Sequence, residues 1–128
     1  NGLTNPIAKE AQQVTTKLNA IDGSLLEGNA LTHWSSLQKT MQSSLINIES
    51  AKTSENQRLE FINLSKALIN AIKSFGTESE QPIYIQHCPM ANNDQGADWV
   101  SLTENIINPY FGDLMLTCGY TEETITND

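Results

Sequence analysis

Apolar residues recur along the first 75 positions at alternating steps of three and four, and after Gly76 that rhythm stops. Ile7, Ala11, Val14, Leu18, Ile21 and Leu25 form one stripe, which is the spacing of an amphipathic helix. Asn5 before Pro6 reads as a cap followed by the first helical residue. Gly23 costs about 1 kcal/mol relative to alanine and weakens the last turn. Gly28-Asn29 reads as a stop and a new cap. A second helix is predicted over 30–48, with Leu31, Trp34, Met41, Leu45 and Ile48 on one face and Leu37 beside them. A third is predicted over 55–75, with Phe61, Ile62, Leu68, Ile69, Ile72 and Phe75 on its apolar side. Ser54 and Gln57 have capping-box spacing, and Phe75-Gly76 is a C-terminal stop. Short connections predict antiparallel neighbours.

Beyond Gly76 the pattern shortens. "QPIYIQHC" is a strand-like run after a proline, "ANNDQGAD" a polar loop, "WVSLTENIIN" a helical turn or short helix. "PYFGD" is a turn, "LMLTC" a second strand-like run, and "TEETITND" a polar tail that frays. The expected fold is mainly α: an antiparallel three-helix bundle with a C-terminal extension of short strands and turns. The 128 residues suit a single domain, 1–128. It divides into a helical bundle over 1–76, a Cys/Met-containing extension over 77–120 and a polar tail over 121–128.

Charge narrows the partners. Seven Lys and Arg against 15 Asp and Glu give a formal net charge of −8. That balance disfavours nucleic acid and polybasic membrane anchoring. No apolar run is long enough for a membrane span. The chain opens on Asn1-Gly2 without an initiator Met, which reads as a trimmed, mature product.

The candidate chemistry is sulfur. The chain has two cysteines and three methionines. Met90 lies two residues after Cys88, and Met115 three residues before Cys118, whereas Met41 belongs to a helix stripe. Thiolate and thioether are soft donors that suit Cu(I). In an extended backbone Cys88 and Met90 share a face, and Pro89 stiffens the pair. Met115 and Cys118 share a face in a helical turn but not in a regular strand, so a four-sulfur site requires a bulge or turn there. His87 is a further candidate ligand, although in a strand it leaves on the face opposite Cys88. His33, beside Trp34, reads as structural. The other use of the cysteines is a disulfide between Cys88 and Cys118, with the two strand-like runs side by side. Closing a loop of about thirty residues would stabilise the chain by roughly 3–4 kcal/mol. The residues leave both readings open.

Other chemistries fail on spacing. There is no C-x-x-C for thiol exchange or haem attachment. In "NNDQGAD", placing Gly96 sixth in a calcium loop puts Ala91 first and Leu102 twelfth, where carboxylates are needed. P-loop, G-x-S-x-G and H-E-x-x-H motifs are missing. The scattered carboxylates, among them Glu49, Glu55 and Glu60, read as solvated helix surface. The expectation is binding, not catalysis.

"CPMA" at 88–91, "DWVS" at 98–101, "INPYFGDLMLTCG" at 107–119 and "QRLEFINLSKALINAIKSFG" at 57–76 together resemble domain-of-unknown-function family 3347. The resemblance is densest over 84–119 and thinner over the first helix. It implies an exported, periplasmic protein of a Gram-negative envelope, with a lipid anchor on a removed N-terminal segment as one option. Relatives are also fused to adaptor subunits of heavy-metal efflux pumps, which makes such an adaptor, or another envelope protein, the implied partner. The family is proposed to bind copper or a related metal. Cys88, Met90, Met115 and Cys118 match its sulfur residues, and His87 falls at a variable position. Trp99, Asn108, Pro109, Tyr110 and Gly112 match positions given packing and turn roles. The resemblance favours soft-metal binding, most plausibly of copper(I), over a purely structural disulfide. An oxidised resting form alternating with a reduced, metal-loaded form is a third arrangement.

Overall fold

The computed structural model describes residues 4–19, 26–77, 79–111 and 117–126. Two compact units are present, Asn1–Ala67 and Leu68–Asp128. The division falls inside a helix, not at Gly76.

The first unit is helical. Helix α1 (Thr4–Asn19) and helix α2 (Gly28–Ser50) pack antiparallel. Gln12 donates to Glu49 at one end, and Gln42 donates to Asn19 at the other. Ala11, Leu18, Leu37, Met41, Leu45 and Ile48 are buried between polar outer faces, as the three–four spacing requires. Asn5 lies inside the first turn of α1 instead of ahead of it. The side chain of Ile7, and Ile21, Gly23 and Leu25, lie outside the described residues. Val14 and Leu31, placed in the core by their stripes, are exposed.

After a break at residues 51–53 the chain reverses into helix α3 (Ser54–Phe75). Its cap comes one residue earlier than the capping-box spacing suggests: the Thr53 hydroxyl accepts the Asn56 N–H at 3.1 Å. Gln57 instead turns inward, is buried, and donates to the Ile48 carbonyl at the end of α2. Gly76 closes α3 by donating to the Ile72 carbonyl at 2.8 Å, as its position predicts.

The second unit is built on a three-stranded antiparallel sheet in the order β2-β1-β3. Strand β1 (Ile83–Cys88) is central, β2 is Ala97–Ser101 and β3 is Tyr120–Ile125. Two expectations are corrected here. "WVS" belongs to β2, not to a helical turn. "YTEETI" is an outer strand, not a fraying tail; its β-branched threonines and isoleucine fit a pleated surface, and both glutamates are exposed. The strand expected at "LMLTC" falls mostly on residues 112–116, outside the described residues, and Thr117 and Cys118 are not in a strand. The architecture is therefore mixed, helices plus an antiparallel sheet, and the short strands expected beyond Gly76 are part of that sheet.

Between β1 and β2 lies a single turn, α4 (Ala91–Asp94). Asn92, Asn93 and Asp94 all take positive φ, at 56°, 53° and 65°. Asn and Asp tolerate that left-handed conformation better than other non-glycine residues. Gly96 follows at φ +87° and donates to the Ala91 carbonyl. The polar loop thus becomes a left-handed turn that returns the chain beside β1.

Candidate metal centre

Strand β1 sorts its chemistry by face. Successive side chains alternate, so Cys88 and His87 leave on opposite sides of the sheet.

On one side, Cys88 is fully buried at the end of β1. Cys118 approaches it from the irregular segment before β3, with the sulfurs 3.1 Å apart and both thiols free. The two cysteines named from the sequence are therefore brought together. Burial by itself would push the Cys88 thiol up. The S–H of Cys118, the backbone N–H groups of Met90 and Ala91 and the side chain of Asn108 outweigh it and hold Cys88 below its ordinary value. Cys118 moves the other way, raised first by the hydrogen bond to Cys88, then by burial and by the Cys88 charge. One sulfur of the pair is thus the favoured thiolate and the other the favoured thiol.

Three buried polar side chains hold this face. Gln86 accepts from the Trp99 indole at 2.8 Å and donates to the carbonyls of Thr103 and Glu104, each at 3.1 Å. Asn108 donates to the Cys118 carbonyl and accepts the Tyr110 N–H, both at 2.8 Å. Asn-Pro is accordingly a turn, as its residues suggest, and it also fixes the backbone of Cys118. The Tyr110 hydroxyl donates to the Asp98 carbonyl at 2.7 Å, and its ring meets Trp99 edge-on. Trp99, Asn108 and Tyr110 thus have packing and turn roles.

The methionines are placed less fully. Strand β1 ends at Cys88, and Met90 takes a helical backbone conformation with φ −88° and ψ −11°. The face-sharing of an extended Cys-Pro-Met run therefore does not apply, and the Met90 side chain is half-exposed. Met115 and Gly112 lie outside the described residues.

On the other side of β1, His87 joins residues that the sequence reading passed over. Asp98 stands directly opposite it on β2, with Oδ1 2.5 Å from Nδ1. Glu122 on β3 brings Oε2 to 3.9 Å from the same nitrogen. His87 is thus separated from the two sulfurs and surrounded by carboxylates. Only strand register brings these three together, and "TEET" as a presumed tail concealed it.

Fold and site together define a helical domain joined to a small antiparallel sheet that carries a free dithiol. The chain belongs to the family "Protein of unknown function (DUF3347)", whose family model matches residues 4–80, more than half of the chain. The matched residues take in α1, α2 and α3 and stop short of β1, so the segment 84–119 lies outside the match. No curated protein and no solved structure matches the chain. Among the described residues, no helix is long and apolar enough to cross a membrane.

Proposed function

We propose that this chain is a binding protein that holds a soft metal ion, copper(I) foremost, between the thiolates of Cys88 and Cys118, and releases it to a partner. The observation that carries the reading is the meeting of two free thiols at 3.1 Å, one of them favoured as thiolate. Soft ions prefer such donors over the carboxylates that dominate this acidic surface.

Distance tests the fit. A metal–thiolate bond of about 2.3 Å places two sulfurs of a tetrahedral ion about 3.8 Å apart. The pair must open by about 0.7 Å from its present 3.1 Å. Cys118 is the sulfur that yields, because it is only partly buried and outside any strand. Met90, exposed at the rim, and Met115 are the further thioether donors in this reading. Their weak bonds suit transfer. His87 is not in this ligand set, since it leaves on the opposite face. The helices, in this reading an antiparallel three-helix bundle, act as scaffold. A periplasmic setting and an efflux-adaptor partner are parts of the same proposal and rest on family resemblance.

A second reading is favoured by the same contact. An oxidant of an oxidising compartment that takes two electrons, with release of both thiol protons, would close the sulfurs by about 1 Å to the usual 2.05 Å of a disulfide, and the domain becomes a stapled interaction module.

An anaerobic Cu(I) titration of the reduced chain against a chromophoric chelator separates the two. Stoichiometric binding that Cys118→Ser abolishes and Met90→Leu weakens supports the metal reading. Competition no stronger than that of a simple dithiol removes the methionines from the site, and no competition at all removes the metal reading and leaves the staple.

A further inference from the structure

We propose that the outer face of the sheet carries a second metal site, made by His87, Asp98 and Glu122, for a borderline divalent cation such as Zn2+. Each strand supplies one donor: His87 from central β1, Asp98 from β2 and Glu122 from β3. One ligand atom from each residue lies within 4.8 Å of the others.

The backbone is shaped to make this cluster. Strand β3 pairs with β1 as Ile85↔Glu123 and then Gln86↔Thr121, so Glu122 is skipped by the register. Such a bulge re-aims a side chain. In a regular ladder Thr121 would face His87; here the bulge brings the Glu122 carboxylate to the imidazole, and Tyr120 becomes the partner of His87. The ring is also fixed from behind. Gly96, in the left-handed turn, lies so close that a Cβ there would come within 2.8 Å of Cε1 and 3.1 Å of Nε2. The Tyr120 ring flanks it with centroids 5.6 Å apart. Nδ1 is thereby turned towards the two carboxylates.

The donor set has consistent chemistry. Imidazole suits zinc and its neighbours, while carboxylates suit harder ions, so a mixed set points to a borderline divalent ion. Donor atoms about 2.0–2.2 Å from a tetrahedral ion stand roughly 3.3–3.6 Å from one another. The present separations from Nδ1, 2.5 Å to Asp98 and 3.9 Å to Glu122, bracket that range. Side-chain rotation closes the difference, because Glu122 is 52% exposed. The two carboxylates carry −2, which a divalent cation cancels. Partial exposure leaves the remaining coordination positions to water. This site shares no donor with the dithiol, and the two proposals stand or fall separately.

The test is a Zn2+ titration of the reduced full chain followed by NMR, reading the His87 imidazole nitrogens and the Cys88 and Cys118 signals separately. The expected result is a saturable response at His87 that Glu122→Gln or Asp98→Asn weakens about tenfold or more, with the cysteine response unchanged. Mn2+ broadening on the unmodified chain is a second measure that thiols contribute little to and that needs no variant. It should centre on His87, Asp98 and Glu122. Zinc responses confined to the cysteines, together with no Mn2+ broadening at the cluster, would show an ion-pair network only and overturn the proposal.

Discussion

Trp99 donates its indole N–H to the side-chain carbonyl of Gln86 at 2.8 Å, inside a face of the sheet where Gln86 is completely buried. The same glutamine's amide holds the Thr103 and Glu104 carbonyls. A single side chain therefore joins β1 to β2 and to the loop that follows it. Gln86→Leu conserves much of the volume but orphans an indole N–H and strips two carbonyls of a donor. The expected loss is roughly 1–3 kcal/mol in urea unfolding. A stability equal to the parent chain would mean that water replaces the amide.

Two glycines back the same residue with different consequences. A Cβ at Gly119 would meet the His87 carbonyl oxygen at 2.7 Å, and one at Gly96 would meet the His87 ring. Both have φ in the left-handed half of the map, so both alanine variants carry backbone strain. The ring can rotate away, whereas the carbonyl belongs to the central strand. Gly119→Ala should therefore lower the unfolding midpoint further than Gly96→Ala. Gly96→Ala should instead displace the His87 ring signals in NMR. The reverse ranking would refute the contact argument.

The dithiol should titrate in two separated steps. Cys88 loses its proton below the ordinary value of 9.0, and Cys118 above it. Between the lowered Cys88 value and 9.0 the unfolded chain holds the extra proton, so stability rises with pH. Above 9.0 the folded chain holds it on Cys118, so stability falls with pH until Cys118 ionises. Thiolate absorbance near 240 nm follows the two steps directly. Cys118→Ala removes the S–H that stabilises the thiolate, and the first step should move up. A single step at the ordinary value would show that the sulfurs do not interact in solution.

Helices α2 and α3 were legible because three–four apolar spacing and the Gly76 stop depend only on near neighbours. So was β1, from Ile83, Tyr84 and Ile85 after Pro82. The meeting of Cys88 with Cys118 was required by both uses read for the only two cysteines, metal site and disulfide, and the sequence did not choose between them. Strand β2 was not, because Trp99, Val100 and Leu102 also fit a helical turn; pairing with β1 decides it. Strand β3 was hidden by its own polarity, as an outer strand has no need of an apolar face. The cluster at His87 depends on register across three strands and on one skipped residue, and no local pattern encodes either. Phe75 and Leu68 show the opposite limit: both fit a helical stripe yet remain more than a third exposed.

Strand β3 is an outer strand of the sheet among the described residues, and outer strands offer free backbone groups to any other chain that can pair with them. Here that edge is interrupted where Glu122 bulges, and it presents Glu122 and Glu123 side by side. A second copy aligning antiparallel along it would set acidic residues against acidic residues across a broken ladder. The kink that delivers a carboxylate to His87 thus also makes β3 a poor template for self-assembly, so this small acidic sheet can end at three strands without a fourth from a neighbouring molecule.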